Sequence, residues 1–468
     1  MNQIRHILAL TTMVLAGGTA LAADTNNVGT NGLPAWLTRP LSLADALNTA
    51  LQQNANILEA QKDLTSTQGL VIQTRAVALP HLASSSQYQY TQPDAIEAFG
   101  SFPQPNRNWN ADVQLVQNIY MGGQLIAAIK AAEVIKRQSL ADYRTALGDA
   151  LLTIRVAYYD VLLAEQQIIV REASVNLLQK EVEDQQHRLD AGTVPRFNVL
   201  QAEVALANER PNLIQARNSY RIAKNNLSNL LGYNLPNDVW EDIPFHLTDG
   251  FNLAKFDVQL PDAVQEALNR RSELVAAREN VSLQKLNVVN ARAGYQPTIS
   301  LFGGYDWANA KFTDPLTLGH TIQGWNAGAQ MTWNIFDGAA TYGRVKQAKA
   351  QRDKSVVELA DEMRQIELNV RTAYSDMIQA KETLESQMKV QEEAEEALRE
   401  ARARSAAGTG TQLDVLNAET SLTQARTTQV QAEHDYSTAL ARFQRATGED
   451  MAIAPAPVPV SSNTSTNF

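Results

Sequence analysis

The chain has no cysteine among its 468 residues, and only 6% of its residues are aromatic. The absence of cysteine excludes a disulfide framework, thiol chemistry and a lipid anchor attached through a cysteine. No stretch after the N-terminal region holds about 18 consecutive apolar residues, so the sequence predicts no transmembrane helix.

Motifs of catalysis and cofactor binding are also missing. No glycine-rich loop is followed by Lys-Ser or Lys-Thr, which excludes the usual phosphate-binding loop. The six histidines are scattered, and neither His187 nor His434 has a partner at metal-ligand spacing. With a net charge of −10, the chain is a poor candidate for binding nucleic acid. The sequence therefore predicts no enzyme activity, no metal, no cofactor and no nucleic-acid partner.

The N-terminus has the features of an export signal. Arg5 precedes a short apolar run, and Ala20-Leu21-Ala22 precedes Ala23. This pattern predicts a cleaved signal peptide at residues 1–22. Residues 23–40 are predicted to be an irregular segment. Residues 449–468, rich in Pro, Ser, Thr and Asn, are predicted to be a disordered tail.

An internal duplication runs through most of the chain. Residues 404–419 repeat residues 188–203 at an offset of 216, and each copy contains Arg, then Gly-Thr, then Val-Leu and Ala-Glu. A fixed offset over long distances indicates a repeated structural unit. We therefore expect two equivalent halves, residues 41–232 and 258–448, joined at mid-height by a linker at residues 233–257.

Within each half, apolar and polar residues alternate in two stretches of about ten residues. They predict strands at about 81–90, 109–120, 298–307 and 324–336. A soluble sheet with one solvated face gives this alternation. A strand of an outer-membrane barrel gives it too, and the strand length and the aromatic residues near strand ends favour that interpretation. In lipid, four strands with open edges require several chains to share one barrel. The predicted membrane-facing residues are Trp109, Val113, Leu115, Trp325, Met331 and Trp333.

Proline-free stretches predict long helices. Residues 122–190 and 338–406 each predict a helix of about 69 residues, roughly 100 Å long, which needs coiled-coil packing. A helix at 41–79 precedes the first strands, and return helices follow at 197–231, interrupted at Pro211, and at 412–447. The turns between long and return helices, about 191–198 and 407–414, predict hairpin tips, because Ala-Gly-Thr suits a helix end that needs a positive φ.

This pattern of signal peptide, duplication, helix–strand–strand–long helix order and paired Gly-Thr hairpins resembles the TolC-like outer-membrane efflux protein family. These are the outer-membrane factors of tripartite efflux and type I secretion systems. The resemblance covers residues 41 to about 448. It implies a mainly α fold with a β membrane part. Long coiled-coil helices would form an α-barrel tunnel, and a homotrimer would pool four strands per chain into one twelve-stranded β-barrel.

The resemblance also implies a place and partners. The chain is expected in the outer membrane of a Gram-negative-type envelope, in contact with its lipid and extending into the periplasm. A periplasmic adaptor would join it to an inner-membrane pump, and substrates would pass through it to the exterior. The hairpin turns would form the periplasmic tip. By resemblance, the adaptor-docking residues are Gly192, Thr193, Gly408, Thr409, Arg188 and Arg404, and the gate residues are Asp414, Asn417, Asn198 and Gln201.

The gate departs from the family pattern at two positions. A second gate aspartate of the family falls on Asn417, and a latching arginine falls on Gly410, so at most one acidic ring is expected. Three Asp414 carboxylates around a narrow axis would repel one another, which raises at least one pKa and attracts cations. An alternative role for Asp414 is to cap the helix that begins there, as Asn198 could in the first half.

Two other protein classes are weighed against a channel. A structural coiled-coil protein of the periplasm or cell surface would leave the alternating strands and the duplication without a purpose. A passive porin needs many more strands in one chain. The predicted function is therefore an outer-membrane channel-tunnel of efflux or type I secretion, with the structural coiled coil as the alternative.

Overall fold

The structure is a computed structural model that describes residues 40–95, 106–232, 243–309 and 321–449. The predicted signal peptide, most of the predicted irregular segment, part of the predicted linker and nearly all of the predicted tail lie outside these residues. The elements in chain order are α1 (Leu43–Gln53), α2 (Ala55–Ala76), β1 (His81–Tyr90), β2 (Arg107–Met121), α3 (Gln124–Asp190), α4 (Arg196–Leu230), α5 (Leu260–Arg270), α6 (Ser272–Arg292), β3 (Thr298–Asn309), β4 (Thr321–Thr332), α7 (Ala340–Ala406) and α8 (Gln412–Thr447).

The described residues form two halves with the same order of elements. Each half has two shorter helices, two antiparallel strands, one helix of 67 residues and a return helix that packs along it. At 1.5 Å per residue, α3 and α7 are each about 100 Å long. The predicted fold class, mainly α with a small β part and long coiled-coil helices, is confirmed.

The prediction of one continuous helix over 41–79 is wrong, because the chain leaves helical geometry at Asn54. The ψ of Asn54 is 127°, its Oδ1 accepts a hydrogen bond from the Ile57 N–H, and its Nδ2 donates to the Leu230 carbonyl at 2.6 Å. The second half breaks at the equivalent Arg271, whose Nη1 donates to the Arg445 and Ala446 carbonyls. In each half, the break therefore supplies a donor to the C-terminal end of the return helix.

The return helix α4 runs unbroken through Pro211, which contradicts the predicted interruption. Proline inside a helix costs about 3 kcal/mol, since it removes one hydrogen bond and crowds the preceding turn. Two ion pairs hold α4 against α3 on either side of this position, Arg171–Glu209 at 3.2 Å and Arg217–Glu172 at 2.7 Å. Packing against α3 thus maintains a helix that Pro211 alone would bend.

The four strands form one antiparallel sheet in the order β1-β2-β3-β4. Their register places Val113, Tyr305 and Trp325 side by side. By alternation, five of the predicted membrane-facing residues share this face, and the opposite face carries Asp112, Asp306 and other polar residues. The sixth, Trp333, is not a strand residue: β4 ends at Thr332, and the Trp333 indole donates to the Tyr295 carbonyl at 3.2 Å.

The core is concentrated near the middle of the long helices. Buried Tyr158, at the centre of α3, donates from its hydroxyl to the Leu41 carbonyl at 3.0 Å, and burial raises the pKa of Tyr158 to about 12. The segment from Ile243 to Gln259 packs against this level, with Phe245 and Phe256 buried in the core clusters of the first and second halves. Among the described residues, no helix has the length and apolar composition needed to cross a membrane.

An ion cluster joins three helices at the same level, with Arg445 and Arg271 buried, Glu273 half-buried and Asp149 exposed. Arg445 of α8 donates to Asp149 of α3 at 2.9 Å and to Glu273 of α6 at 2.7 Å, and Arg271 holds the other side of Glu273 at 2.9–3.0 Å. Burial works to raise the pKa of the Glu273 carboxyl, but the charges of Arg445 and Arg271 outweigh it, so this pKa lies below its ordinary value. The cluster therefore fixes the two halves to each other through charge.

Candidate functional site

The two hairpin tips end their long helices in the same way. In the first tip, the Thr193 N–H donates to the Arg188 carbonyl at 2.9 Å and the Gly192 N–H to the Leu189 carbonyl at 2.8 Å. In the second, the corresponding pair runs from Thr409 to Arg404 and from Gly408 to Ser405. This is the Schellman arrangement, which satisfies carbonyls that the helix end leaves free. Each threonine hydroxyl also donates to the same arginine carbonyl.

Glycine at these tips is required by the backbone and not by crowding. Gly192 and Gly408 both have a φ of +73°, and a side chain placed there would meet no atom within 4 Å in the protomer. Both glycines are exposed. Arg188 and Arg404 each pair with a carboxylate one turn earlier, Asp184 at 2.8 Å and Glu400 at 3.6 Å. The predicted docking residues thus form two matching surfaces, one on each tip, in which all but the half-buried Arg188 are exposed.

The second tip starts its return helix with a capping box. The Thr411 hydroxyl accepts from the Asp414 N–H, and Asp414 Oδ2 accepts from the Thr411 N–H at 2.9 Å. Hydrogen bonds from the Thr411 backbone and hydroxyl hold the pKa of Asp414 below its ordinary value. This is opposite to the direction predicted for a ring of three carboxylates. Asp414 takes part in helix capping, while the ring, which needs three chains, stays a prediction.

The first tip has no equivalent cap, so the proposed capping role of Asn198 is wrong. The residue before α4 is Pro195, whose side chain cannot cap, and α4 begins without a side-chain cap hydrogen bond. Only the Pro195 carbonyl takes part in the helix start, where it accepts a hydrogen bond from the Asn198 N–H at 3.0 Å. The two tips therefore match at their glycines and differ at the start of their return helices.

The tips lie side by side, and a groove of about 760 Å³ separates them, here called the tip groove. Arg188, Thr193, Asn198 and Gln201 line it from the first tip, and Gly408 lines it from the second. Asp414 and Asn417 are exposed and do not line the groove. The structure thus brings three of the six predicted docking residues together in the groove, and it does not group the four predicted gate residues within one protomer.

The model of the outer membrane efflux protein family matches the chain twice, at residues 46–233 and 263–449. The two matches cover the two halves described above. The chain belongs to this family. It is an outer-membrane channel of the class that serves efflux and type I secretion systems, and it extends from the outer membrane into the periplasm. The family consists of channels and not of enzymes.

Individual relatives have low sequence identity to this chain, but each match covers most of it. The chain is similar to the alkaline protease secretion protein AprF of Pseudomonas aeruginosa, with 25% identity over 64% of this chain and 62% of AprF. It is similar to the outer membrane protein TolC of Vibrio cholerae, with 22% identity over 87% of this chain and 90% of TolC. The solved outer membrane channel CmeC of Campylobacter jejuni shares the fold, with a TM-score of 0.73 and 17% identity over 87% of this chain and 85% of CmeC.

A buried polar network just above the tips of this efflux channel was not predicted. Gln185 of α3 is 1% exposed, and its amide donates to Gln412 of α8 at 2.8 Å and to Glu181 at 2.9 Å. The Gln412 amide also donates to Glu181 at 2.6 Å. The signal in the sequence is that Glu181 and Gln185 continue the i, i+3, i+7 series that Leu178 begins. Polar residues at such core positions mark a contact between the two hairpins.

A buried carboxylate lies close to this network. Glu419 of α8 is 2% exposed, and Arg402 of α7 donates to it at 2.8 Å. Burial raises the pKa of Glu419 despite the hydrogen bond from Arg402, and the charge of Glu181 adds to the rise. Near the tips, polar contacts within and between the two hairpins therefore accompany the apolar cluster of Leu398, Val415 and Leu422.

Proposed function

We propose that three copies of this chain assemble into one closed β-barrel above one helical tunnel, and that this assembly conducts substrates from an inner-membrane pump and a periplasmic adaptor to the cell exterior. The supporting observation is the four-stranded sheet. Within the described residues, β1 and β4 each pair with one strand only. Unpaired strand edges are not tolerated in lipid, so the edges of neighbouring copies must meet.

The helices below the sheet support a tunnel with the same closure. Neighbouring helices pack in the order α2, α3, α6 and α7, which is also the order of the strands they join. When β4 of one copy pairs with β1 of the next, α7 is brought beside the next α2. The helical wall then closes together with the barrel, as a conduit requires. Electrophoresis of unheated protein and mass measurement in mild detergent should give three chains of 51.4 kDa, less the signal peptide. A monomer or dimer contradicts the proposal.

The gate assignment predicts a change in ion preference. We expect Asp414→Asn to lower the preference for cations in planar-bilayer conductance, because it removes the one carboxylate of each copy proposed to face the axis. Asn417→Asp, one helical turn later, should raise that preference. The matched pair changes charge in opposite directions at neighbouring exposed positions. If neither variant alters the ratio of cation to anion permeability, Asp414 does not line the constriction.

The docking assignment predicts site-specific capture of an adaptor. The chain has no cysteine, so one introduced thiol is unique. Ala191→Cys and Ala407→Cys place it beside each tip glycine at a negative φ, which avoids the strain of replacing the glycine itself. With a thiol-reactive crosslinker in intact cells, both variants should trap an inner-membrane-anchored adaptor.

The control for capture is Ser375→Cys, an exposed position near the middle of α7 and far from the tips. It should trap much less adaptor at equal labelling. If all three variants trap the adaptor equally, docking is not specific to the tip. If a trimer forms in the outer membrane and none of the variants traps an adaptor, the tip is not the docking site.

A further inference from the structure

A second groove, of about 580 Å³, lies where the sheet meets the helices and is here called the junction groove. The end of α6 and the start of α7 form its walls. Val345, which is buried, lies at its floor, and the exposed side chains of Arg292, Lys346 and Lys349 surround it with two tyrosines, Tyr295 and Tyr342. The groove is therefore apolar at its base and cationic at its rim.

The three cations of the junction groove have no carboxylate partner among the described residues, and no acidic side chain lines the groove. The neighbouring Arg344 lies 3.6 Å from Asp337 and donates to Thr341 at 2.7 Å. Further along α7, Lys354 pairs with Glu358 at 3.4 Å. Three cations and no carboxylate line this groove, although the chain as a whole has a net charge of −10. They indicate an anionic ligand that is not part of the protomer.

The position of the groove indicates where that ligand comes from. Met331 is exposed near the end of the apolar face of β4, and the segment after the strand exposes Trp333, Ile335 and Phe336, the last of which is 87% exposed. The Trp333 indole donates to the backbone carbonyl of Tyr295 in the groove wall. Tyrosine and tryptophan gather at the boundary between lipid and water, and basic side chains just beyond that boundary reach headgroups.

We propose that the junction groove binds the phosphate headgroup of an anionic phospholipid in the periplasmic leaflet of the outer membrane. The lysines and the arginine would donate to the phosphate oxygens. Val345 and the tyrosine rings would contact the glycerol and the first carbons of the acyl chains. A free phosphate ion explains the cations but not the apolar floor or the adjoining aromatic side chains. The proposal rests on the outer-membrane location and does not depend on conduction.

The test is lipid binding by the purified intact assembly. Native mass spectrometry in mild detergent would compare phosphatidylglycerol with phosphatidylcholine, for the wild type and for the double variant Lys346→Gln/Lys349→Gln. We expect the wild type to prefer phosphatidylglycerol and the double variant to bind it roughly ten- to thirty-fold more weakly, since each basic residue near a headgroup contributes about five-fold. Binding of phosphatidylcholine should change little.

The control variant is Lys354→Gln, which removes the same charge from the same helix at a lysine paired with Glu358. It should retain wild-type binding. Equal phosphatidylglycerol binding by wild type and double variant overturns the proposal. So does competition by inorganic phosphate at the same concentration as the lipid, which would show a free-anion site. Loss of assembly instead of lipid in the double variant also overturns it, because a second copy would then occupy the groove.

Discussion

Leu115→Arg should remove the channel from the outer membrane. Leu115 lies near the middle of β2 on the apolar face, opposite Leu82 and Gly303. Arginine on the lipid face near the bilayer midplane costs about 2–4 kcal/mol, and three copies in one barrel multiply that cost to roughly 6–12 kcal/mol. We expect the oligomer to disappear from isolated outer membranes and the chain to be degraded or to collect in the periplasm.

The matched control is Gln114→Arg, one residue earlier. Because successive side chains of a strand point to opposite faces, this arginine enters the polar face beside Gly304. The oligomer should then form at close to the wild-type level. If both variants assemble equally well, the face carrying Val113, Leu115 and Trp325 does not contact lipid. Equal failure of both would mean that β2 tolerates no added bulk, and it would not identify a lipid face.

Arg445→Met should destabilise the level at which the two halves meet. It leaves Glu273 and Asp149 without the cation that joins α8 to α6 and α3. Removing one partner of a buried pair costs about 3–5 kcal/mol, and we expect about 3 kcal/mol because Glu273 keeps Arg271. The heat-unfolding midpoint of the purified assembly should fall clearly, with earlier proteolysis near Asp149.

The control for this prediction is Arg371→Met on α7, which breaks an exposed pair with Glu367 and should cost less than about 0.5 kcal/mol. The cost of Arg445→Met should also depend on pH. The lowered pKa of Glu273 contributes stability that is complete above its ordinary pKa and is lost as pH falls through the lowered one. The difference in unfolding free energy between wild type and Arg445→Met should therefore become smaller at acid pH. A gap independent of pH would assign the effect to packing.

Much of the fold could be predicted because its signals are local and occur twice. The 216-residue offset indicates two halves, and the change from helical to alternating periodicity separates strands from long helices. The errors arise where tertiary contacts outweigh local preference. Asn54 breaks a helix to donate to the Leu230 carbonyl, and Pro211 is tolerated because ion pairs to α3 support its helix. The contacts that decide the outcome at Asn54 and Pro211 come from residues that are distant in the sequence.

The candidate site was predictable to the same extent. Ala-Gly-Thr indicates the positive φ of Gly192 and Gly408, since that backbone requirement is local. The capping role considered for Asp414 is also a local signal, and the structure assigns the N-cap position itself to Thr411, three residues earlier. The network of Gln185, Gln412 and Glu181 could not be predicted in full, because it depends on how one hairpin is rotated against the other.

The length of α3 has a mechanical consequence. Tyr158 is held near the centre of α3 by its hydrogen bond to the Leu41 carbonyl. It lies 32 residues before the end of α3 at Asp190. That arm is about 48 Å long at 1.5 Å per residue. A tilt of about 5° around Tyr158 would therefore swing the tip by roughly 4 Å with no bend in the helix. The long helix acts as a lever, so a small change of angle at Tyr158 becomes a displacement of the hairpin tip that is wider than a water molecule.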